Sequence, residues 1–492
     1  MNPLKKLAGQ TAIYGLSSVV GRLLNYLLVP LYTRYFLPEE YGVVTELYAY
    51  VAFLVIILTY GLETAFFRFS QTEKNNRVVY STSLISLLFT SLLFIFLMFT
   101  FSENIATTIG YPKNQEYIKW FAIIIGLDAI SSISFAKLRA LNKATRFALI
   151  RLVNIFVNIG LNLFFIIYCP YVIENNLQSL NFVNSVYSTS VGVGYIFIAN
   201  LFASVVTILM LIPEMMNSVW VFDRRLWKKM MIYAAPLLIA GLAGITNETI
   251  DRILLKHLLP ETLNVTREIG LYGAFYKLSI IMILFIQTFR FAAEPFYFAQ
   301  ERELNSKKMY ADVMKYFVIV MSIIFLIVTT FYDFFINFLG SNYHDERGFL
   351  VVSILLLANL FLGIYYNLSI WFKLTEKTIY GAYIAIFGAM ITLIGNYALI
   401  PVIGFVGCAI ATLACYFLMT VVSVCFSIKY YPIPYNYKKI FMYFLFMISI
   451  YFILNYANFT VVFNLLFIVS YIAAIYWIER PKTKETKTPK LF

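Results

Sequence analysis

A few charged side chains lie inside long apolar runs of this sequence. Among the cations we single out Arg22 and Lys277. Among the carboxylates we single out Glu46, Glu63, Asp128 and Glu294. At bilayer depth such a group costs at least about 2.5–3.5 kcal/mol on insertion scales, so each one needs a wet cavity or a partner. These six residues are therefore the first candidates for chemistry.

The two cations have an anion-binding and a structural interpretation. Arg22 lies about midway along the first run and could donate two hydrogen bonds to a phosphate or diphosphate. The alternative is a structural ion pair with Glu46 or Glu63. Lys277 could hold an anion as a point charge, or it could pair with Glu46. We predict that Arg22, Lys277, Asn25 and Asn247 line one substrate cavity.

The carboxylates are candidates for proton or cation coupling or for gating. A carboxylate that is shielded from water can exchange a proton during a transport cycle, which favours Glu46, Glu63 and Asp128. The alternative is that they balance the charge of Arg22. For Glu63 and Glu294, gating or pairing with Arg68 or Arg290 is at least as plausible as substrate contact. The end of the seventh run is predicted to carry solvated or interlobe salt bridges made by Glu248, Asp251 and Arg252.

The composition excludes a soluble enzyme. Of 492 residues, 61% are hydrophobic and only 13% are charged, whereas soluble proteins have about 45–50% and 25%. The pattern GxxxxGK[ST] is absent from the sequence, as are HExxH, GxSxG and any Cys/His metal spacing. We therefore expect no enzymatic activity and no cofactor. The net charge of +13 indicates cationic loops on one membrane face rather than nucleic-acid binding.

Fourteen runs approach the length of about 20 apolar residues that a helix needs to cross a bilayer. This predicts an all-α polytopic membrane protein. The predicted spans are Thr11–Phe36, Tyr41–Phe66, Val78–Phe101, Tyr117–Leu138, Phe147–Cys169, Val191–Pro213, Met230–Leu254, Ile269–Phe291, Tyr310–Phe331, Gly348–Phe372, Tyr380–Ile400, Gly404–Ile428, Ile440–Tyr456 and Thr460–Ile478.

Lysine and arginine are unevenly divided between the two membrane faces. Most of them lie at the N-terminus, in the even-numbered loops and in the tail, including Lys137–Arg146 and Arg224–Lys229. The odd-numbered loops hold only Arg34, Lys113, Lys119, Arg252, Lys256, Arg267 and Arg347. Such a bias predicts that both termini are cytoplasmic.

The sequence contains a weak internal repeat. Gly21–Glu40 aligns with Ala243–Thr262, so that Asn25 matches Asn247. After a nine-residue insertion, Tyr41-Gly42 matches Tyr272-Gly273. The repeat predicts two lobes related by an axis along the membrane normal, with substrate bound between them. The predicted units are residues 1–215, residues 225–430, a final helix pair at residues 437–479, and a basic cytoplasmic tail at residues 480–492.

Several short motifs are ordered and spaced as in one transporter family. They are Gly21-Arg22, Pro30–Arg34, Leu37–Gly42, Leu138–Lys143, Pro236–Leu238, Asp251-Arg252, Gly270–Gly273 followed by Lys277-Leu278, and Gly404–Ala409. On these motifs the chain resembles the bacterial polysaccharide and O-antigen flippases of the Wzx type. These belong to the multidrug/oligosaccharidyl-lipid/polysaccharide (MOP) exporter superfamily, with the MATE multidrug exporters and the lipid II flippase.

The resemblance implies a flippase of the bacterial inner membrane that moves an undecaprenyl-diphosphate-linked oligosaccharide to the outer leaflet. It implies a cationic cavity for the diphosphate, a groove for the lipid tail at the last helix pair, and contact with membrane lipid. A glycan polymerase or glycosyltransferases are possible partners. The alternatives are an ion-coupled multidrug exporter of the same superfamily, or a glycan polymerase or ligase. A polymerase or ligase would need a large extracytoplasmic loop, and none is present.

Overall fold

The computed structural model describes residues 19–73, 75–177, 180–260, 262–301, 303–457 and 461–480. Within these ranges the chain is almost entirely helical and has no strand. Thirteen helices in this part are long and apolar enough to cross a membrane. The chain is therefore a multi-pass, all-α membrane protein, which confirms the predicted fold class.

The helices follow the predicted runs closely, although residues 11–18 of the first run and residues 481–492 of the basic tail lie outside the described ranges. The helices are α1 (19–26 and Val29–Tyr35), α2 (Pro38–Thr59 and Leu62–Thr72), α3 (Asn76–Thr100), α4 (Gln115–Ala140), α5 (Ala144–Leu163, Phe164–Tyr168 and Cys169–Glu174), α6 (Gly194–Met216), α7 (Arg224–Leu258), α8 (Val265–Gln300), α9 (Ser306–Thr330), α10 (Arg347–Leu368 and Ile370–Leu374), α11 (Ile379–Ile403), α12 (Phe405–Tyr430), α13 (Tyr437–Ala457) and α14 (Val461–Glu479).

Polar residues at the helix starts explain where several spans begin. The Asn75 side chain accepts hydrogen bonds from the first amides of α3, at 3.2 and 3.4 Å. Asp223 does the same for α7, at 2.8 and 3.0 Å, and Asn264 accepts from the amide of Arg267 in α8, at 3.1 Å. Such caps satisfy amides that have no partner in the helix. The helices consequently extend beyond the apolar runs that predicted them.

Helix α2 is broken in its second half. Tyr60 and Gly61 both have left-handed backbones, with φ of 35° and 70°, and the helix resumes at Leu62. A Cβ on Gly61 would lie 3.1 Å from the carbonyl oxygen of Ala234 in α7. The break therefore lies where α2 and α7 are packed closely, and glycine satisfies both the backbone angle and the space.

Helix contacts fall into two groups. Helices α3 to α6 pack on one another and on α2, whereas α7, α8, α10, α11 and α12 form the second group. Helix α2 joins the groups through α7 and α8. The last pair of helices packs on α9, where Glu479 of α14 accepts hydrogen bonds from Lys315, at 2.6 Å, and Lys439, at 2.8 Å. The two-lobe division itself remains a prediction.

The crossing of α2 and α8 is reciprocal. A Cβ on Gly42 would overlap the carbonyl oxygen of Thr266, and a Cβ on Gly270 would overlap the carbonyl oxygen of Pro38. The Cβ added to Gly42 would lie 3.2 Å from the amide nitrogen of Gly270, and the Cβ added to Gly270 would lie 3.0 Å from the amide nitrogen of Gly42. The contact thus relates Gly42 to Gly270, three positions before Gly273, which the sequence repeat matched with Gly42.

Candidate functional site

A polar cavity lies between the two helix groups. It has a volume of about 430 Å³ and is lined from α1, α2, α5, α6, α7 and α8. Its wall is rich in amide and hydroxyl groups, including Asn25, Thr45, Tyr48, Asn154, Asn158, Asn200 and Thr249. Side-chain amides and tyrosine hydroxyls can donate and accept hydrogen bonds, and tyrosines also offer ring faces. Both properties suit a hydroxyl-rich ligand.

A second compartment of about 300 Å³ shares Asn25, Glu248, Tyr276 and Lys277 with the first and adds Arg22. A third, of about 230 Å³, contains Asn247, Glu248, Tyr276, Arg290 and Tyr366. Glu248 lines all three compartments. The two predicted cations, Arg22 and Lys277, therefore face one space, with Asn25 beside them.

The two cations have no protein counter-charge in contact. Within the described part of the chain, neither Arg22 nor Lys277 makes a hydrogen bond or an ion pair within 4.0 Å. The charges of Arg252 and Glu248 act on Lys277. Helix α8 begins at Val265, so that Lys277 lies three turns inside it. Two cations that face one cavity without an ion-pair partner among the described residues are suited to bind a multiply charged anion.

Asn247 is held differently from Asn25. It is buried, donates to the carbonyl oxygen of Ala385 at 3.2 Å, and accepts from the Thr392 hydroxyl at 3.3 Å. Asn25 is exposed to the cavity. The two positions that the repeat matched are thus in different surroundings, and of the two only Asn25 lies in the same compartment as Arg22 and Lys277.

Glu46 lies at the end of the bundle that carries the odd-numbered loops, which we call the odd-loop end. It is fully buried and accepts hydrogen bonds from Lys256 of α7, at 2.9 Å, and from the phenol of Tyr111, at 2.5 Å. Lys256 also donates to the carbonyl oxygen of Ile109 at 2.5 Å. Burial and the charge of Glu46 raise the pKa of Tyr111, so that its phenol stays protonated and donates. The predicted pairs of Glu46 with Arg22 or Lys277 are wrong.

The other predicted carboxylates also have partners. Glu63 pairs with Arg139 of α4. Glu294 pairs with Lys373 of α10 at 2.6 Å and with Arg290 at 3.4 Å. Asp128 accepts a hydrogen bond from Ser204 at 2.9 Å. The alternative pairs of Glu63 with Arg22 or Arg68 are therefore wrong. Arg68 stacks on Tyr233 instead. The predicted pair of Glu294 with Arg290 is present.

The prediction for the end of α7 was wrong. Asp251 and Arg252 are both buried and pair with each other at 2.9 Å, rather than with solvent or with the first helix group. Glu248 faces the cavity instead of the odd-loop end. The i, i+4 spacing of Glu248 and Arg252 places both on one helix face. That spacing is the sequence signal that could have assigned them to the same wall.

Two further arginines lie near this site. Arg290 lines the third compartment and stacks over Tyr366 at 4.0 Å. Arg151 of α5 stacks over Phe135 at 4.2 Å and is influenced by the charges of Asp128 and Arg22. Neither was assigned to the cavity from sequence, because its position within a span does not tell which side of the helix faces inward.

Comparisons with known proteins agree with this architecture. The family described as "Polysaccharide biosynthesis protein" matches residues 7–295. The lipid II flippase MurJ, in an inward closed conformation, is 15% identical with a TM-score of 0.70, covering 94% of this chain and 99% of its own. An inward-facing multidrug resistance MATE transporter of the MOP superfamily is 15% identical with a TM-score of 0.64, covering 82% and 93%.

A MOP superfamily transporter from Pyrococcus furiosus is also similar, at 14% identity and a TM-score of 0.53, with 87% of this chain and 97% of that chain covered. A comparison with curated protein sequences gives no match. At these identities the solved structures establish the fold, which is that of the MOP transporters.

Proposed function

Because the chain belongs to the polysaccharide biosynthesis protein family, we propose that it is a flippase for a lipid-linked oligosaccharide. Its substrate is an undecaprenyl-diphosphate-linked repeat unit for O-antigen, capsule or exopolysaccharide. The protein moves this molecule from the cytoplasmic to the outer leaflet of the bacterial inner membrane by alternating access. The observation that carries the proposal is that Arg22 and Lys277 share one cavity and that neither has an ion pair with another described residue.

The cavity chemistry supports this substrate class. A diphosphate diester carries two negative charges, which Arg22 and Lys277 would balance. The larger compartment beside them offers Asn154, Asn158 and Asn200 as hydrogen-bonding groups for sugars. Glu46, Glu63 and Glu294 are paired, so that the described residues contribute one carboxylate, Glu248, to the cavity lining, against the cations Arg22, Lys277, Arg252 and Arg290. This excess of cations favours an anionic glycolipid over the cationic substrates of the multidrug alternative.

The distribution of ion pairs supports a state that is closed toward the outside. At the odd-loop end, the buried pair Glu46–Lys256 joins the two helix groups at 2.9 Å, and the longer, partly exposed pair Glu39–Arg267 also crosses, at 3.8 Å. At the opposite end, where the positive-inside bias places the cytoplasm, the shorter pairs stay within one group. Among the described residues, the ion pair that crosses at that end is Glu73–Lys229, which is long at 3.9 Å and partly exposed, so that the buried crossing pair lies at the odd-loop end. The substrate would then enter from the cytoplasmic leaflet.

We propose that α13 and α14 form the side along which the lipid tail lies. Their attachment to α9 through Glu479 supports movement of the pair with the second helix group. A glycan polymerase and glycosyltransferases are proposed partners, since an exported repeat unit has to be made and then polymerised.

We expect Arg22→Gln and Lys277→Gln each to lower glycan export about tenfold, because a hydrogen bond to a charged group contributes about 1.5–3 kcal/mol and about 1.4 kcal/mol is tenfold. The measurement is surface glycan and lipid-linked precursor in a host whose glycan export depends on this chain. Arg225→Gln, which removes an exposed cation at the start of α7, is the matched control and should export normally. Normal export by the double variant at a normal protein level would contradict the proposal.

A further inference from the structure

Glu248 is the one carboxylate that the described residues contribute to the lining of the central cavity, and the proposed function does not use it. It lies on α7, is exposed to the cavity, and lines all three compartments. It therefore lies where a ligand held by Arg22 and Lys277 would have to pass or bind.

Within the described part of the chain, the carboxylate of Glu248 makes no salt bridge. Among the described residues it has no ion pair within 4.0 Å, whereas its neighbour Asp251 pairs with Arg252 at 2.9 Å. Several other glutamates of the helices are paired, as for Glu46 with Lys256 and Glu214 with Arg146. A carboxylate that remains unpaired in such surroundings is available to the site.

The groups around Glu248 are mostly cationic. Arg22 faces the shared space from α1, and Lys277 and Arg290 face it from α8. On its own helix, Arg252 donates to the backbone carbonyl of Glu248. Arg252 also lines the first compartment. The other titratable groups that line the three compartments are the phenols of Tyr26, Tyr32, Tyr41, Tyr48, Tyr276, Tyr365, Tyr366 and Tyr416. One negative charge thus lies among several positive ones.

We infer that Glu248 is the internal counter-anion of the diphosphate site. In the empty cavity its charge offsets those of Arg22 and Lys277, and on binding it repels the incoming diphosphate. The inference rests on the proposed function and adds to it a residue that limits affinity. A transport site has to bind strongly enough to load and weakly enough to release, and one fixed negative charge near the phosphates shifts that balance toward release.

The test is binding of geranylgeranyl diphosphate to the purified full-length chain in lipid nanodiscs, measured with wild type, Glu248→Gln, Arg22→Gln and Glu73→Gln. We expect Glu248→Gln to bind about tenfold more tightly and to release the probe more slowly, since one like charge at short range has been removed. Glu73, which follows the last residue of α2, is partly exposed and does not line the cavity; Glu73→Gln is the matched control and should leave affinity unchanged.

The outcomes separate the two proposals. Equal or weaker binding by Glu248→Gln, while Arg22→Gln weakens binding, would overturn the role of Glu248 and leave the flippase proposal standing. Equal tightening by Glu73→Gln would also overturn it, because the effect would then come from net charge alone. Absence of saturable binding by the wild type would instead count against the proposed function.

Discussion

Leucine at Gly42 or Gly270 is expected to abolish most of the folded protein. At both positions a Cβ would overlap a backbone carbonyl oxygen of the facing helix, so α2 and α8 would have to separate. Close approach at small residues is a main source of helix association in a bilayer, because apolar side chains gain little from leaving lipid. Overpacking costs about 1–3 kcal/mol even where side chains can yield, and a backbone oxygen yields less.

The measurement is the amount of monodisperse protein extracted in mild detergent and separated by size-exclusion chromatography. Gly160→Leu is the matched control, because a Cβ on this α5 residue meets nothing within 4 Å. Recovery of Gly42→Leu and Gly270→Leu at the level of Gly160→Leu would show that the crossing is not required for folding.

The spans were predictable because one physical quantity, the thickness of hydrocarbon, determines them. The predicted run Val78–Phe101 is the helix Asn76–Thr100, and Tyr380–Ile400 is the helix Ile379–Ile403. The long helices α7 and α8 exceed their runs because capped polar turns at Asp223 and Asn264 add residues that are not apolar. Hydropathy contains no information about those turns.

The charge pairs were less predictable than the spans. Position along a span gives depth, but the rotation of a helix and its neighbours decide which side chains meet. Glu46 pairs with Lys256, 210 positions away in sequence, whereas the repeat register that matches Gly42 with Gly273 places Glu46 opposite Lys277. Two backbone features also affect how the first helix group faces the second. One is the break of α2 at Tyr60–Gly61. The other is that Gly42 crosses α8 at Gly270, whereas the sequence repeat matched it with Gly273.

The cavity was partly predictable for the same reason. Arg22 and Lys277 could be placed within spans from sequence, and the cost of a charge there predicted either a wet cavity or a structural partner for each. Glu248 was assigned to a helix end because Asp251 and Arg252 follow it closely. Their mutual pairing in the interior, which frees Glu248 for the cavity, depends on packing with Tyr272, whose hydroxyl donates to Asp251.

Replacement of Glu46 by leucine is expected to weaken the odd-loop end strongly. Lys256 would keep the carbonyl of Ile109 and the ring of Tyr111, at 3.9 Å, but would lose its buried counter-charge. Removing one partner of a buried pair costs about 3–5 kcal/mol, whereas replacing both by apolar residues is often neutral. We therefore expect Glu46→Leu to lower the unfolding temperature markedly and Glu46→Leu/Lys256→Leu to recover most of it.

The same pair joins α2 to α7, so its loss should also open the cavity toward the odd-loop end. The opening can be measured with a cysteine at the cavity residue Asn25, in a variant in which the exposed Cys425 is changed to serine. The measured quantity is the rate at which a membrane-impermeant thiol reagent, added from outside, labels Asn25→Cys. Glu46→Leu should raise the labelling rate, because the closed arrangement loses a contact that the open one does not need. Unchanged labelling together with an additive double variant would show that the two residues neither couple nor hold this end closed.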